Sequence, residues 1–152
     1  INSMLSLGLR YRTRVAAHCL RSLSTASDSP LDIIVEKIDA LNLVASREAG
    51  SNVVREGAKI AIMRMSRPAA RNALGKNMLS QMRDAIDNLP MDPQVRALIL
   101  TSDVDRVFCA GADLKERRDM TQLEAGMFVS KLRDTFTDLG RLGMPVIGAV
   151  EG

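Results

Sequence analysis

The sequence predicts an α/β fold with a largely parallel sheet. Two short apolar runs, at 59–65 and 97–101, flank a stretch in which apolar residues recur at helical spacing, and strand, helix, strand is the order of a right-handed crossover unit. A second helical pattern at 121–139 is followed by another apolar run at 145–150, so the alternation continues. The 152 residues, 46% of them hydrophobic, suffice for one domain with a real core. No repeat of fixed period is present.

Taken in order, residues 1–27 combine Arg10, Arg12, Arg14 and Arg21 with seven serines and threonines and no acid, the composition of a mitochondrial transit peptide. Met4 reads as the initiator, and Arg21-Ser22-Leu23-Ser24 as a matrix-protease site cleaved after Leu23. Asp28-Ser29-Pro30 punctuates its end, and 33–35 reads as a short strand. Residues 41–57 fit either a helical turn or a long loop. Residues 59–65 form a strand stopped by Ser66-Arg67-Pro68, because proline cannot continue regular pairing.

Met78, Leu79, Met82, Ala85, Ile86 and Leu89 place one apolar stripe on a helix that Pro90 ends. Residues 97–101 are continuously apolar, as in a parallel strand covered on both faces. Residues 107–109 read as a further short strand feeding the turn Ala110-Gly111-Ala112-Asp113, with a short helix at 114–120. Thr121 and Glu124 form a capping box for the next helix. Its core face is Ala125, Phe128, Val129, Leu132, Phe136 and Leu139, with Gly140 in a left-handed terminal position. Residues 145–150 form the last strand.

The net charge of +3 comes from the leader: without its four arginines, 17 of the 21 basic residues face 18 acids. That near-neutral body argues against a nucleic-acid footprint. His18, the only histidine, lies in the leader, which excludes a histidine-based triad or zinc site in the body. Cys19 also lies there, leaving Cys109 alone, so a disulfide framework is excluded and Cys109 reads as a buried inert thiol. No apolar run reaches the length of about 18 residues that a membrane span requires.

The chemistry concentrates at 108–116. Small residues at 110–112 let the backbone approach a ligand, and the free N–H groups of the helix that follows suit an oxyanion. Asp113 reads as the cap of that helix rather than as a base.

Phe108-Cys109-Ala110-Gly111-Ala112-Asp113-Leu114-Lys115-Glu116 resembles, nearly word for word, the oxyanion-hole segment of the enoyl-CoA hydratase/isomerase (crotonase) family. Arg67-Pro68-Ala69-Ala70-Arg71-Asn72-Ala73-Leu74 resembles that family's upstream coenzyme-A segment, at the right offset, and 144–152 resembles the strand before its second glycine-rich turn. Arg117, Met120 and Phe128-Val129-Ser130-Lys131 are most similar to its methylglutaconyl-CoA hydratases, enzymes of leucine degradation.

The resemblance implies a crotonase-like (ClpP/crotonase) spiral of strand-strand-helix units, incomplete here, with 28–152 as the N-terminal part of the domain. It also implies a matrix lyase hydrating a 2-enoyl-CoA, or an isomerase of the same family. The Ala112 N–H would be one of two donors to the thioester oxygen. Ala110, Ala112, Asp113, Leu114 and Lys115 would line the acyl-CoA channel, and Ala70 and Arg71 the adenine and pantetheine end. Arg71 reads equally as a solvated charge, and Lys115 and Glu116 as an exposed helix face. No cofactor or metal is implied, since coenzyme A belongs to the substrate. The partners implied are copies of the protein itself, as trimers or pairs of trimers.

The family's two glutamates that act on water, and its second oxyanion donor, match nothing in these residues; Glu151 only precedes the second turn. The chain is therefore expected to be an N-terminal fragment without hydratase activity of its own. A relative binds AU-rich RNA through a lysine-rich version of the 76–89 helix. Here that helix offers Lys76 and Arg83 against Asp84 and Asp87, a weak electrostatic case.

Overall fold

A computed structural model describes residues 30–40 and 57–151; the proposed leader, its cleavage site and most of 41–57 lie outside them. Four strands form one mixed sheet in the order β1-β2-β3-β4. β1 (Ile33–Asp39) runs antiparallel to β2 (Lys59–Met65), with Ile33 opposite Met65 and Asp39 opposite Lys59. β2 and β3 (Val95–Ser102) are parallel, as are β3 and β4 (Val146–Gly148). The α/β class and the parallel β2-β3 pairing expected from the sequence are present, with an antiparallel strand at one edge.

Between β2 and β3 lies α1 (Lys76–Asn88), followed by a 3₁₀ turn, Leu89–Met91, that accommodates Pro90 where its missing N–H costs nothing. Met78, Leu79, Met82 and Ile86 are buried along α1, close to the stripe read from the sequence. Met78, Met82 and Ile86 meet Ala61, Met63 and Met65 of β2 and Leu98 and Leu100 of β3 in one core, which Leu139 joins from α3 (Gln122–Gly140). β3 departs from the expectation of burial on both faces: Leu98 and Leu100 are buried, while Ala97, Ile99 and Thr101 on its other face are only half-buried.

Other boundaries shift for identifiable reasons. β1 runs on to Asp39 because full antiparallel pairing with β2 carries its alternating charges along an exposed edge. Residues 107–109 form no strand. The Ser102 hydroxyl takes the Val104 N–H at 2.9 Å and donates toward the Val104 and Val107 carbonyls at 3.2 and 2.5 Å, which folds the chain back as soon as β3 ends. α2 is a single short helix, Leu114–Arg118.

The capping box of α3 is complete: Thr121 N–H donates to Glu124 Oε2 at 2.8 Å, and Glu124 N–H to Thr121 Oγ1 at 3.3 Å. Its apolar face is broader than its contact. Phe128 and Leu139 are buried and Ala125 and Leu132 half-buried, whereas Val129 and Phe136 are exposed. Gly140 is the last helical residue, not a left-handed cap; Arg141, at φ −103°, ends the helix.

Truncating the fully buried Leu98 to alanine removes side-chain contacts from the centre of this core and is expected to cost about 2–5 kcal/mol. Urea titration of the variant beside the parent chain checks this; a shift below about 0.5 kcal/mol, the level of a surface change, would mean the core does not close around β3.

Candidate functional site

Two loops meet at the ends of β2 and β3. The first, 66–75, contains a 3₁₀ turn, Pro68–Ala70, then Arg71 and Asn72, both with positive φ, at 51° and 55°. The second, 103–113, turns at Gly111, whose φ of 86° is readily adopted only without a side chain.

Asn72 joins them. It is fully buried, its Oδ1 accepts the Arg67 N–H at 2.8 Å, and its Nδ2 donates to Ser102 Oγ at 2.8 Å and the Phe108 carbonyl at 3.0 Å. Ala110 N–H then donates to the Arg71 carbonyl at 3.0 Å. Leu74 grips both sides of Ala112, its N–H donating to Gly111 O at 2.7 Å and its carbonyl accepting the Asp113 N–H at 3.0 Å. Ala112, half-buried between these bonds, has an N–H with no acceptor among the described residues.

Asp113 caps α2, as the sequence indicated. Its Oδ1 accepts the Lys115 and Glu116 N–H groups at 3.0 and 3.2 Å, while Oδ2 lies 2.7 Å from Arg67 Nη1. Burial opposes its ionisation, but the Glu116 N–H, the Arg67 guanidinium and the Lys115 N–H together outweigh that cost and hold its pKa below the ordinary 3.8. Glu116 is not a plain solvated face: Oε1 is 3.5 Å from Arg67 Nη2, and Oε2 accepts the Lys76 N–H at 2.8 Å. It thereby caps α1, whose own N-cap residue, Gly75, has no side chain to do so.

The sequence-derived residues therefore converge in part. Backbone bonds bring Arg71 beside Ala110, and Ala112 and Asp113 beside Leu74, with Ala70 in the turn just before Arg71; Arg71 is exposed, and Leu114 and Lys115 stand exposed on the first turn of α2. Cys109 is half-buried rather than buried; its Sγ contacts Asn72 O at 3.1 Å and accepts the Gly111 N–H at 3.4 Å. The reading from sequence gave Arg67 and Asn72 no role. Their one signal was two polar residues inside a Pro-Ala-Ala-containing segment too short for a helix. On α1, Arg83 is forked between Asp87 and Asp138, which raises its pKa and pairs one of that helix's two basic residues, Lys76 being the other. Among the described residues no three His, Cys, Asp or Glu side chains gather as metal ligands, and no helix is long and apolar enough to cross a membrane.

The fold of this chain is also similar to that of solved enoyl-CoA hydratases. The enzyme from Bacillus anthracis superposes with a TM-score of 0.59 at 31% identity, covering 61% of this chain and 36% of that one. That from Mycobacterium smegmatis gives 0.57 at 32%, covering 65% and 38%.

In sequence, bovine enoyl-CoA hydratase domain-containing protein 2, mitochondrial, is 50% identical over 93 residues, 61% of this chain and 31% of that protein. Mouse methylglutaconyl-CoA hydratase, mitochondrial, is 43% identical over 97 residues, 64% and 31%. Residues 55–152 match the enoyl-CoA hydratase/isomerase family, and the chain belongs to it. The matched stretch spans about a third of the length of these relatives.

Two outcomes follow from the caps. An alanine Cβ at Gly75 would collide with the Glu116 carboxylate, so Gly75→Ala is expected to uncap α1 at a cost of about 1 kcal/mol, with Glu116→Ala adding little on top; full additivity in a double-mutant cycle would refute the shared cap. Asp113→Asn keeps a capping oxygen but loses the charge. Because the folded pKa is depressed, the stability gap to the parent should be full above the ordinary 3.8 and close as pH falls below it. A gap still open in acid melts at the lowest pH would contradict this.

Proposed function

We propose that this chain supplies the acyl-CoA thioester cradle of an enoyl-CoA hydratase of the mitochondrial matrix. The observation that carries the reading is the Ala112 N–H, without an acceptor among the described residues and held between two bonds to Leu74 at the entrance to a capped helix in a chain of this family. Hydration adds hydroxide equivalent to the β-carbon of a 2-enoyl thioester and a proton to the α-carbon, and negative charge gathers on the thioester oxygen on the way. A fixed donor aimed at that oxygen stabilises the charge without reorganising at the moment of reaction.

In this reading Ala70 and Arg71 lie toward the adenine and pantetheine, Ala110, Asp113, Leu114 and Lys115 along the acyl channel, and coenzyme A enters only as part of the substrate. The mitochondrial names of the bovine and mouse relatives support the compartment, and the mouse relative's name favours a branched substrate of the methylglutaconyl-CoA kind. A homotrimer or pair of trimers is the assembly proposed. With a donor but without the family's acid-base glutamates, the 152 residues should bind the thioester and not hydrate it.

Titration calorimetry with crotonyl-CoA, followed by loss of the enoyl absorbance, tests both halves. Expected are saturable binding stronger than that of free coenzyme A, and no hydration above background. Binding no better than coenzyme A would remove the cradle assignment, and measurable hydration by residues 24–152 would overturn the absence of catalysis.

A further inference from the structure

The direction of the Ala112 N–H depends on the peptide planes to either side, and both are tied to the single residue Leu74. Two bonds to one residue fix a distance, and the Ala110–Arg71 bond steadies the turn before Ala112, which leaves the side beyond Ala112 to be braced. Arg67 spans that side. Its Nη1 lies 2.9 Å from the Ala73 carbonyl and 2.7 Å from Asp113 Oδ2, one residue outside the bridge on each loop. Its Nη2 reaches Glu116 at 3.5 Å, and its own backbone N–H is held by Asn72.

We infer that Arg67 is a positioning residue for thioester polarisation, cross-bracing the Leu74–Ala112 bridge so that the Ala112 N–H keeps one direction. The inference rests on the reading of Ala112 as oxyanion donor. A planar, permanently charged fork can hold a carbonyl and two carboxylates at fixed angles. A lysine ammonium, a point charge on a flexible stem, can hold Asp113 but not the whole set. Donor direction matters steeply, since misplacement by about 1 Å can cost about 10²-fold in rate.

The test uses cinnamoyl-CoA, whose absorption moves to longer wavelength when its carbonyl oxygen accepts a strong hydrogen bond. The 152-residue chain is expected to bind it with a red shift. Arg67→Met should bind it with a Kd within about threefold, because the residue touches no ligand, yet lose more than about half of the shift; Arg67→Lys should recover part of it. A folded Arg67→Met that keeps the full shift overturns the positioning role while leaving the Ala112 reading intact.

No shift in the parent chain overturns the Ala112 reading and this inference with it. Should Arg67→Met melt, Asp113→Asn breaks the brace from the other side and keeps a capping oxygen. Loss of the shift there supports the brace, and retention refutes it.

Discussion

Everything at the ends of β2 and β3 depends on one buried amide. Asn72 has no contact with solvent, and its Oδ1 and both Nδ2 hydrogens are engaged. Its partners belong to three separate segments: the start of the first loop, the last residue of β3, and the segment before Gly111. Leaving any of these groups unmade inside the protein would cost about 1–3 kcal/mol, more than a typical hydrogen bond contributes when made. The amide therefore acts less as glue than as a veto on other loop arrangements. Residues 107–109 are apolar enough for a strand, but the Phe108 carbonyl already accepts from Asn72.

Charge then refines what the amide sets. Arg67, a quarter exposed, faces Asp113 and Glu116 directly and Asp32 at 4.0 Å. One cation among three carboxylates would be an awkward balance if those carboxylates had no other partners. Each has: Asp32 accepts from Asn77 at 2.8 Å, Asp113 from the first turn of α2, and Glu116 from the first turn of α1. Helix N-termini thus supply part of the positive charge that a second cation would otherwise bring. The two caps are linked through one guanidinium, so α1 and α2 start from a common point although 38 residues separate Lys76 from Leu114.

Patterns of local origin were readable from the sequence. The α1 stripe, the Thr121–Glu124 box, the Asp113 cap and the limits of β2 follow from spacing within a few residues. What failed to show was long-range. The charged half of β1 becomes a strand only because β2 is beside it, and the outward face of β3 stays half-buried because α1 and Leu139 of α3 pack against the other face. The apolar residues of α3 outnumber those its neighbours cover. Arg67 and Asn72 escaped notice as individuals because the partners that tie them to the second loop, to α2 and to the end of β3 lie 30 to 49 residues away, beyond any short motif. The turn at 110–112 was recognisable by its small residues; the bonds that leave one N–H there unused were not.

The core itself is unusual in its sulfur. Met63, Met65, Met78 and Met82 are all among the largest side chains with almost no exposure, and they meet where β2 packs on α1. Thioether side chains fill irregular space with soft, adaptable contacts, and conversion to the sulfoxide would place a polar oxygen there. While the sheet and helix stay closed, peroxide cannot reach those sulfurs. The same four residues therefore form an internal record of opening: their oxidation proceeds only as fast as β2 and α1 part, and once it occurs the two cannot close again as they were.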